Sequence, residues 1–436
     1  MIKKLFITPF QKFVKIESFS GILLLICTLV ALFWANSPLH ESYSSILEYK
    51  VGFSGENFEL KKSVLFWIND GLMAIFFFLI GLEIKREILI GELNTVKKLA
   101  FPLFGAVGGA LIPVGLFMLL NQNPETFKGW GIPMATDIAF SLAVLNTLGK
   151  RIPLSLKIFL TAFAIVDDIE AVLVIAVFYS ESIQVALLLI GLGLIALLYV
   201  LTYKGYYSKF VMVVVGIIVW VLFLKSGVHP TVAGILIAFS VPIRQEIKTT
   251  TFLSQLEGIY NSIKSAPVLK EPILSNQQLK LVNNLTHWSK KFQSPLQHLE
   301  HNLHNWSAYF IIPVFALANA GVLIDSSVHI DMALVFHIIL CLVLGKGLGI
   351  PLVILVAKKL NLIQIPSDIH FIQILGVSFI AGIGFTMAIF IAGLAFSTSP
   401  EFISSAKIGI LLGSLISAVI GYLILRFGPV KDYIKL

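Results

Sequence analysis

The sequence predicts an all-α polytopic membrane protein, and three observations carry that expectation. Of 436 residues, 57% are hydrophobic and only 13% charged, where soluble domains carry about 25% charge. Apolar windows recur twelve times, most of them near the ~20 residues a helix needs to cross a bilayer. Basic residues alternate between the loops: 25 Lys and Arg lie at the termini and in even-numbered loops, six in odd-numbered loops. Such an asymmetry expects both termini in the cytoplasm.

The windows run approximately 19–36, 64–82, 99–120, 127–147, 154–178, 184–203, 208–224, 229–243, 306–323, 332–356, 370–396 and 405–427. The first resembles a signal peptide, with Lys3, Lys4, Lys12 and Lys15 ahead of Gly21–Trp34 and a conceivable cleavage site near Ala31–Ala35. Followed by so many further spans, it reads better as a retained first helix. In the first loop, Tyr49–Phe53 and Asn57–Leu60 flank Ser54-Gly55-Glu56 as a short external β-hairpin. The stretch 244–304 is polar and Lys-rich, with helical patterning near its end. Cys27 and Cys341 sit in apolar runs and read as small buried hydrophobes, with no disulfide or zinc spacing. The net charge of +8 follows from the loop bias and says nothing about nucleic acid; membrane lipid is an expected partner and nucleic acid is not.

Four charges interrupt the apolar windows. Asp137 lies in the fourth, Asp167 and Asp168 in the fifth, and Lys346 in the tenth. At 1.5 Å per residue they reach depths of about 15, 20 and 21 Å from the membrane face each span enters by. A hydrocarbon core is about 30 Å thick, so all four fall near one central plane. An ionised group there costs roughly 3 kcal/mol or more, which marks a shared functional site. Consecutive helical residues diverge by about 100°, so Asp167 and Asp168 cannot face one point. One can face Asp137 and an ion while the other pairs with Lys346.

The fourth and eleventh windows also carry helix breakers. Gly129-Trp-Gly-Ile-Pro-Met-Ala-Thr136 precedes Asp137, and Gly376 with Ala381-Gly-Ile-Gly-Phe-Thr386 interrupts the eleventh. Unwound backbone at membrane depth is tolerated only in a protein interior or cavity, and paired interruptions point to a transporter binding site. Spans 3–5 and 10–12 are expected to form an inverted repeat, with two broken helices crossing at the midplane.

At these residues the chain resembles the NhaA-type Na+/H+ antiporters. The resemblance rests on Trp67–Met73, Gly81–Glu87, Ala135–Phe140, Lys157–Leu160 with Val166–Asp168, Lys225–His229, Ala318–Gly321, Gly345-Lys346 and Gly382–Thr386. It implies a single transmembrane domain over 1–436, with a core bundle at about 99–178 and 332–427. Interface helices would lie at about 64–82 and 184–323, around the cytoplasmic loop 244–304. It further implies electrogenic export of Na+ or Li+ against external H+ across a bacterial inner membrane, without cofactor or catalysis. In that picture Asp168 is the principal Na+ ligand and shares protonation with Asp167. Thr136 and Asp137 lie at the crossing, where Asp137 balances helix-end dipoles, and Lys346 pairs with Asp167. Asp70, Glu83, Arg86, Glu87, Glu300, His301 and His304 match positions linked to cation access and pH control, and His229 is placed with them. A homodimer through the 49–60 hairpin is the family's expectation.

The chemistry supports exchange independently. Na+ is a hard cation that takes oxygen ligands, which carboxylates, a Thr hydroxyl and freed carbonyls supply. A carboxylate out of water beside a lysine can hold either a proton or Na+ near neutral pH. Two features depart from the family. Glu170 stands where a small residue is expected and shares a face with Asp167; it reads as an added titrating group, or as a lipid-interface or lysine-paired carboxylate. The loop 244–304 is longer than expected, which loosens the placement of Glu300.

Blander readings stand beside these. Taken alone, Asp70 and Glu83–Glu87 fit ordinary solvated helix ends, and His229 beside Pro230 fits a hydrogen-bonded structural histidine. His301 and His304 are spaced i, i+3 but lack acidic companions for a metal, so a helix face titrating near pH 6.5 is the better reading. The alternative function is a sodium-coupled solute symporter. Asp167-Asp-Ile-Glu170 is a poor prenyltransferase motif at mid-depth, and Gly382-Ile-Gly-Phe385 lacks the acid of an intramembrane aspartyl protease.

Overall fold

Each apolar window becomes a helix or a pair of half-helices in the computed structural model, which describes residues 9–55, 59–91, 95–180, 183–245, 247–265, 273–323 and 330–429. The elements in order are α1 (Pro9–Ala35), α2 (His40–Glu48), β1 (Lys50–Ser54), β2 (Glu59–Ser63), α3 (Val64–Leu89), α4 (Val96–Leu120) and α5 (Ile138–Thr147). There follow α6 (Leu154–Phe178), α7 (Val185–Tyr203), α8 (Lys209–Ser226), α9 (Pro230–Ala238), α10 (Thr249–Ser265), α11 (Asn276–Phe292) and α12 (Pro295–Trp306). The last are α13 (Ile312–Asn319), α14 (Met332–Lys359), α15 (Phe371–Ala381), α16 (Phe385–Ala395) and α17 (Pro400–Phe427).

Among the described residues, six helices are long and apolar enough to cross a membrane, namely α3, α4, α7, α8, α14 and α17. Two bent pairs, Phe19–Ala35 with α2 and α15 with α16, bring the number to eight. Helix α6 is long enough but carries Lys157, Asp167, Asp168 and Glu170. The charges that single it out functionally are what keep it from reading as an ordinary span.

Burial sorts these helices into two groups. Of the most apolar stretch of α14, 61% is buried, against 11% for α7 and 22% for α8. A helix apolar all round yet exposed suits contact with lipid tails. The main core joins residues of α1, α3–α6 and α13–α17, with Phe77, Phe117, Phe163 and Phe315 fully enclosed. A smaller core joins Leu82 of α3 to α8, α9 and α12 through Val219, Phe223, Ala233 and Leu299. Helix α1 packs on α5 and α13, so the first apolar run is part of the fold.

Several details differ from the sequence expectation. The hairpin exists, but its second strand is Glu59–Ser63, paired antiparallel with Lys50–Ser54 in the register Lys50 to Ser63. Residues 56–58 of the expected turn and second strand lie outside the described residues. The stretch 244–304 is not chiefly loop: α10, α11 and α12 occupy most of it, because its sparse apolar residues recur at helical spacing. Gly376 does not interrupt a helix. It sits inside α15, where a Cβ would lie 2.6 Å from Leu425 Cγ, so it is a close-packing position against α17.

Candidate functional site

Two short unwound segments meet at the centre of the main core. Phe127–Met134 is a 3₁₀ turn rather than α-helix, as expected where Pro133 lacks an amide donor and two glycines weaken the helix. Residues 135–137 are extended, and α5 starts at Ile138. The second break is 382–384, between α15 and α16, which bend by 45°. A Cβ on Gly382 would stand 2.5 Å from the Leu342 carbonyl oxygen, so α14 can approach only glycine there.

The two breaks satisfy each other's orphan backbone groups. Ala381 O accepts from Thr136 Oγ1 at 2.9 Å, Ile380 O from Ser141 Oγ at 3.1 Å, and Ile383 O from Asp137 N at 2.7 Å. Those oxygens lie at the end of α15 and in the break that follows, where intrahelical donors run out. Asp137 serves the opposite polarity. Its Oδ1 accepts from Phe140 N at 3.1 Å and caps α5, while Oδ2 accepts from Thr386 N at 3.2 Å and from the Thr386 hydroxyl. One carboxylate thereby faces two positive helix N-termini. Both oxygens of Asp137 cap helix N-termini, the position in which the resemblance has it balance helix-end dipoles.

Lys346 lies in a π turn, Cys341–Lys346, within α14. Its ammonium donates to Asp167 Oδ2 at 3.3 Å and to Thr136 Oγ1, whose hydroxyl in turn donates to Ala381 O. The ion pair is sealed, with Lys346 0% and Asp167 1% exposed. Asp167 Oδ1 is buried and makes no hydrogen bond. Asp168, 6% exposed, lies within electrostatic reach of Asp167, Asp137, Glu83 and Lys346. Glu170 is half-buried with Oε2 unpartnered, and it acts electrostatically on Asp167 and Lys346.

The remaining candidates divide into two clusters. Glu83 is buried in α3 rather than at a solvated helix end, and His304 Nδ1 lies 3.8 Å from its Oε1. Arg86 bridges Glu87 at 2.7 Å and Glu300 at 3.1 Å. His304 is buried while His301 is exposed. Asp70 and His229 are elsewhere. His229 Nε2 meets Asp70 Oδ1 at 3.1 Å, and Nδ1 meets Thr231 Oγ1 at 2.7 Å. Thirteen residues separate Asp70 from Glu83, about 20 Å along the helix. Asp70 occupies a π turn of its own, Trp67–Leu72. Among the described residues, no group of three or more His, Cys, Asp or Glu side chains forms a metal-holding cluster.

Burial is the larger influence on Glu300 and pushes its carboxyl up to about 7, while Arg86 pulls the other way. An acid with a raised folded-state pKa favours folding most when protonated. Its contribution is therefore lost as pH rises from the ordinary carboxylate range to about 7. If this ionisation controls activity, as the resemblance implies, Glu300→Gln should shrink the change in Na+-dependent activity between about pH 6 and 8. The measurement is a pH series of the initial rate at fixed gradient, and an unaltered profile would show that Glu300 does not set it.

Sequence reasoning found the four midplane charges. It missed Thr386 as the second donor to Asp137, and Ser141 and Ser414, which satisfy Ile380 O and Phe385 N. Hydroxyls at a helix break were the available signal. The profile of the family described as Na+/H+ antiporter 1 matches residues 11–425. The Na+/H+ antiporter NhaA 1 of Saccharophagus degradans is 44% identical over 421 residues, covering 96% of this chain and 91% of that protein. NhaA 1 of Psychromonas ingrahamii is 45% identical, covering 94% of each. The NhaA of Helicobacter pylori is 42% identical, covering 95% and 94%. With a profile match that takes in every broken helix and every midplane charge, the chain belongs to the Na+/H+ antiporter 1 family.

Proposed function

We propose that the protein exports cytoplasmic Na+, and Li+, in exchange for external protons by alternating access, electrogenically and under pH control. The observation that carries this reading is the sealed Lys346–Asp167 pair beside Asp168, with one Asp167 oxygen left without a partner. Asp168 and the free oxygen of Asp167 would be the Na+ ligands. Arriving Na+ competes with protons held by the same carboxylates, and those protons belong to the cluster rather than to one residue. Because the occupants exclude each other, exposing the cluster alternately to each side gives antiport.

Asp137 would hold the crossing together through both exposures by facing the two positive helix ends, and Lys346 by binding Asp167 and Thr136, whose hydroxyl reaches the end of α15. Cations would arrive past Glu300, Arg86, Glu87, His304 and Glu83, since Glu83 acts electrostatically on Asp168. Asp70 and His229 would regulate from the other end of α3. The reading includes twelve spans with both termini in the cytoplasm of a bacterial inner membrane, and the inverted repeat of spans 3–5 and 10–12. A core bundle at 99–178 and 332–427 would move against interface helices at 64–82 and 184–323, with dimerisation through the 49–60 hairpin.

Everted vesicles holding a preformed pH gradient provide the test. NaCl, and LiCl, should dissipate the gradient in the presence of the protein. Failure of Na+ to do so at any pH between about 6.5 and 9, a range bracketing the Glu300 ionisation, would make Na+-coupled solute uptake the next assay.

A further inference from the structure

One buried hydroxyl below the midplane charges has no partner in the protein. A threonine inside a helix commonly turns its hydroxyl back on the carbonyl three or four residues earlier. Thr28, Thr147 and Thr286 do so, at 2.8, 2.6 and 3.0 Å. Thr161 of α6 does not: its Oγ1 is buried and makes no hydrogen bond. A hydroxyl turned from its own helix and left unmatched in the interior requires a reason.

Its position supplies one. Lys157, Thr161, Ala164 and Asp168 follow one another at spacings of four, three and four residues, which keeps them within about 60° on one side of α6. That side is half-buried at Lys157 and Thr161 and closed beyond them, with Ala164 2% and Asp168 6% exposed. The exposed apolar residues of the other half of α6, Leu173 and Val177, stand about 120° and 160° round the helix from Thr161. The opening at Thr161 is therefore not a continuation of that apolar face. Lys157, one turn nearer the helix start, is drawn aside to Asn146 Oδ1 of α5 at 2.6 Å.

A carboxylate stands at a similar level. Helix α3 packs against α6, and the two run in opposite directions in the proposed orientation. Glu83 is six residues from the end of α3 at Leu89, and Thr161 is seven from the start of α6 at Leu154. Those counts place them about 9 and 10 Å in from the cytoplasmic helix ends, with Asp168 about 10 Å further along α6 than Thr161. Glu83 is buried and acts electrostatically on Asp168. A hydroxyl oxygen and a carboxylate are donors that a hard cation takes.

We infer that Thr161 Oγ1, together with Glu83, is an oxygen ligand on the cytoplasmic approach, holding a partly hydrated Na+ or Li+ one step short of Asp168. The direction of traffic rests on the proposed exchange; occupation of the site by Na+ does not.

Two substitutions separate the oxygen from the shape. Thr161→Val keeps the branched side chain and removes the oxygen, whereas Thr161→Ser keeps the oxygen and removes a methyl group. In everted vesicles holding a pH gradient, Thr161→Val should raise the KM for Na+ several-fold with the maximal rate retained, and Thr161→Ser should stay close to wild type. A packing role predicts the reverse order. A higher KM in Thr161→Ser than in Thr161→Val therefore overturns the inference, and so does a wild-type KM in Thr161→Val. The second measurement needs no transport. Thr161→Cys, in a full-length Cys27→Ala, Cys341→Ala background, is treated in everted vesicles with a membrane-impermeant cationic thiol reagent. Modification should proceed from the cytoplasmic face, and NaCl should slow it several-fold relative to choline chloride at equal concentration. No modification, or one rate in both salts, overturns the inference. If wild type gives no Na+ response at all, the exchange reading falls while the labelling still decides the site.

Discussion

Asp168→Asn is expected to abolish the Na+-evoked collapse of a pH gradient in everted vesicles while leaving the protein folded. Asparagine keeps the shape and one oxygen but loses the charge and the proton site. Loss of an outer-shell partner already costs a metal site about 10- to 100-fold, so loss of an anionic ligand should cost at least as much in apparent Na+ affinity. Asp168 is close enough to Asp167, Asp137 and Glu83 for electrostatic interaction, so neutralising it should not unfold a cluster already rich in negative charge. Exchange retained at wild-type rate would keep the function and move the site. Glu170, with its unpartnered Oε2, would then be the first residue to neutralise.

Lys346→Met should have the largest effect on stability. It deletes the ammonium that Asp167 and Thr136 both bind and leaves a carboxylate 1% exposed without a counter-charge. Breaking a buried pair from one side costs about 3–5 kcal/mol, whereas replacing both partners is often close to neutral. Lys346→Met should therefore melt well below wild type in detergent, and Lys346→Met/Asp167→Asn should recover much of the loss without recovering transport. A double variant no more stable than the single one would mean that Lys346 holds the fold chiefly through Thr136 and the end of α15.

Much of this was legible in the sequence because a bilayer makes charge conspicuous. Asp137, Asp167, Asp168 and Lys346 stand out against apolar windows, and counting residues from each span end predicts one plane for them. Pro133 and Gly382 announced the breaks by removing a donor or a side chain. Helical patterning near the end of 244–304 was legible, but α10 and α11 escaped notice because polar composition outweighed the weaker signal of Phe252, Leu256 and Ile259 at helical spacing. Glu83 and His304 looked solvated because their neighbours in sequence are charged. Their burial comes from α3 and α12 meeting, which no local pattern contains.

By itself the sequence determined the membrane class, the positions of the apolar helices, the two interruptions and the four charges set in apolar windows. These follow from local composition and from the fixed rise of a helix. Tertiary structure decided which charges are partners. Only the crossing of the two breaks gives Asp137 two helix N-termini to cap. The π turn of α14 carries Lys346, whose ammonium reaches Asp167 and Thr136. The convergence of α3 and α12 assembles Glu83, Arg86, Glu300 and His304 into one cluster and leaves Asp70 with His229. Depth is a property of one helix, but pairing depends on rotation and contact between helices, and those are set by packing.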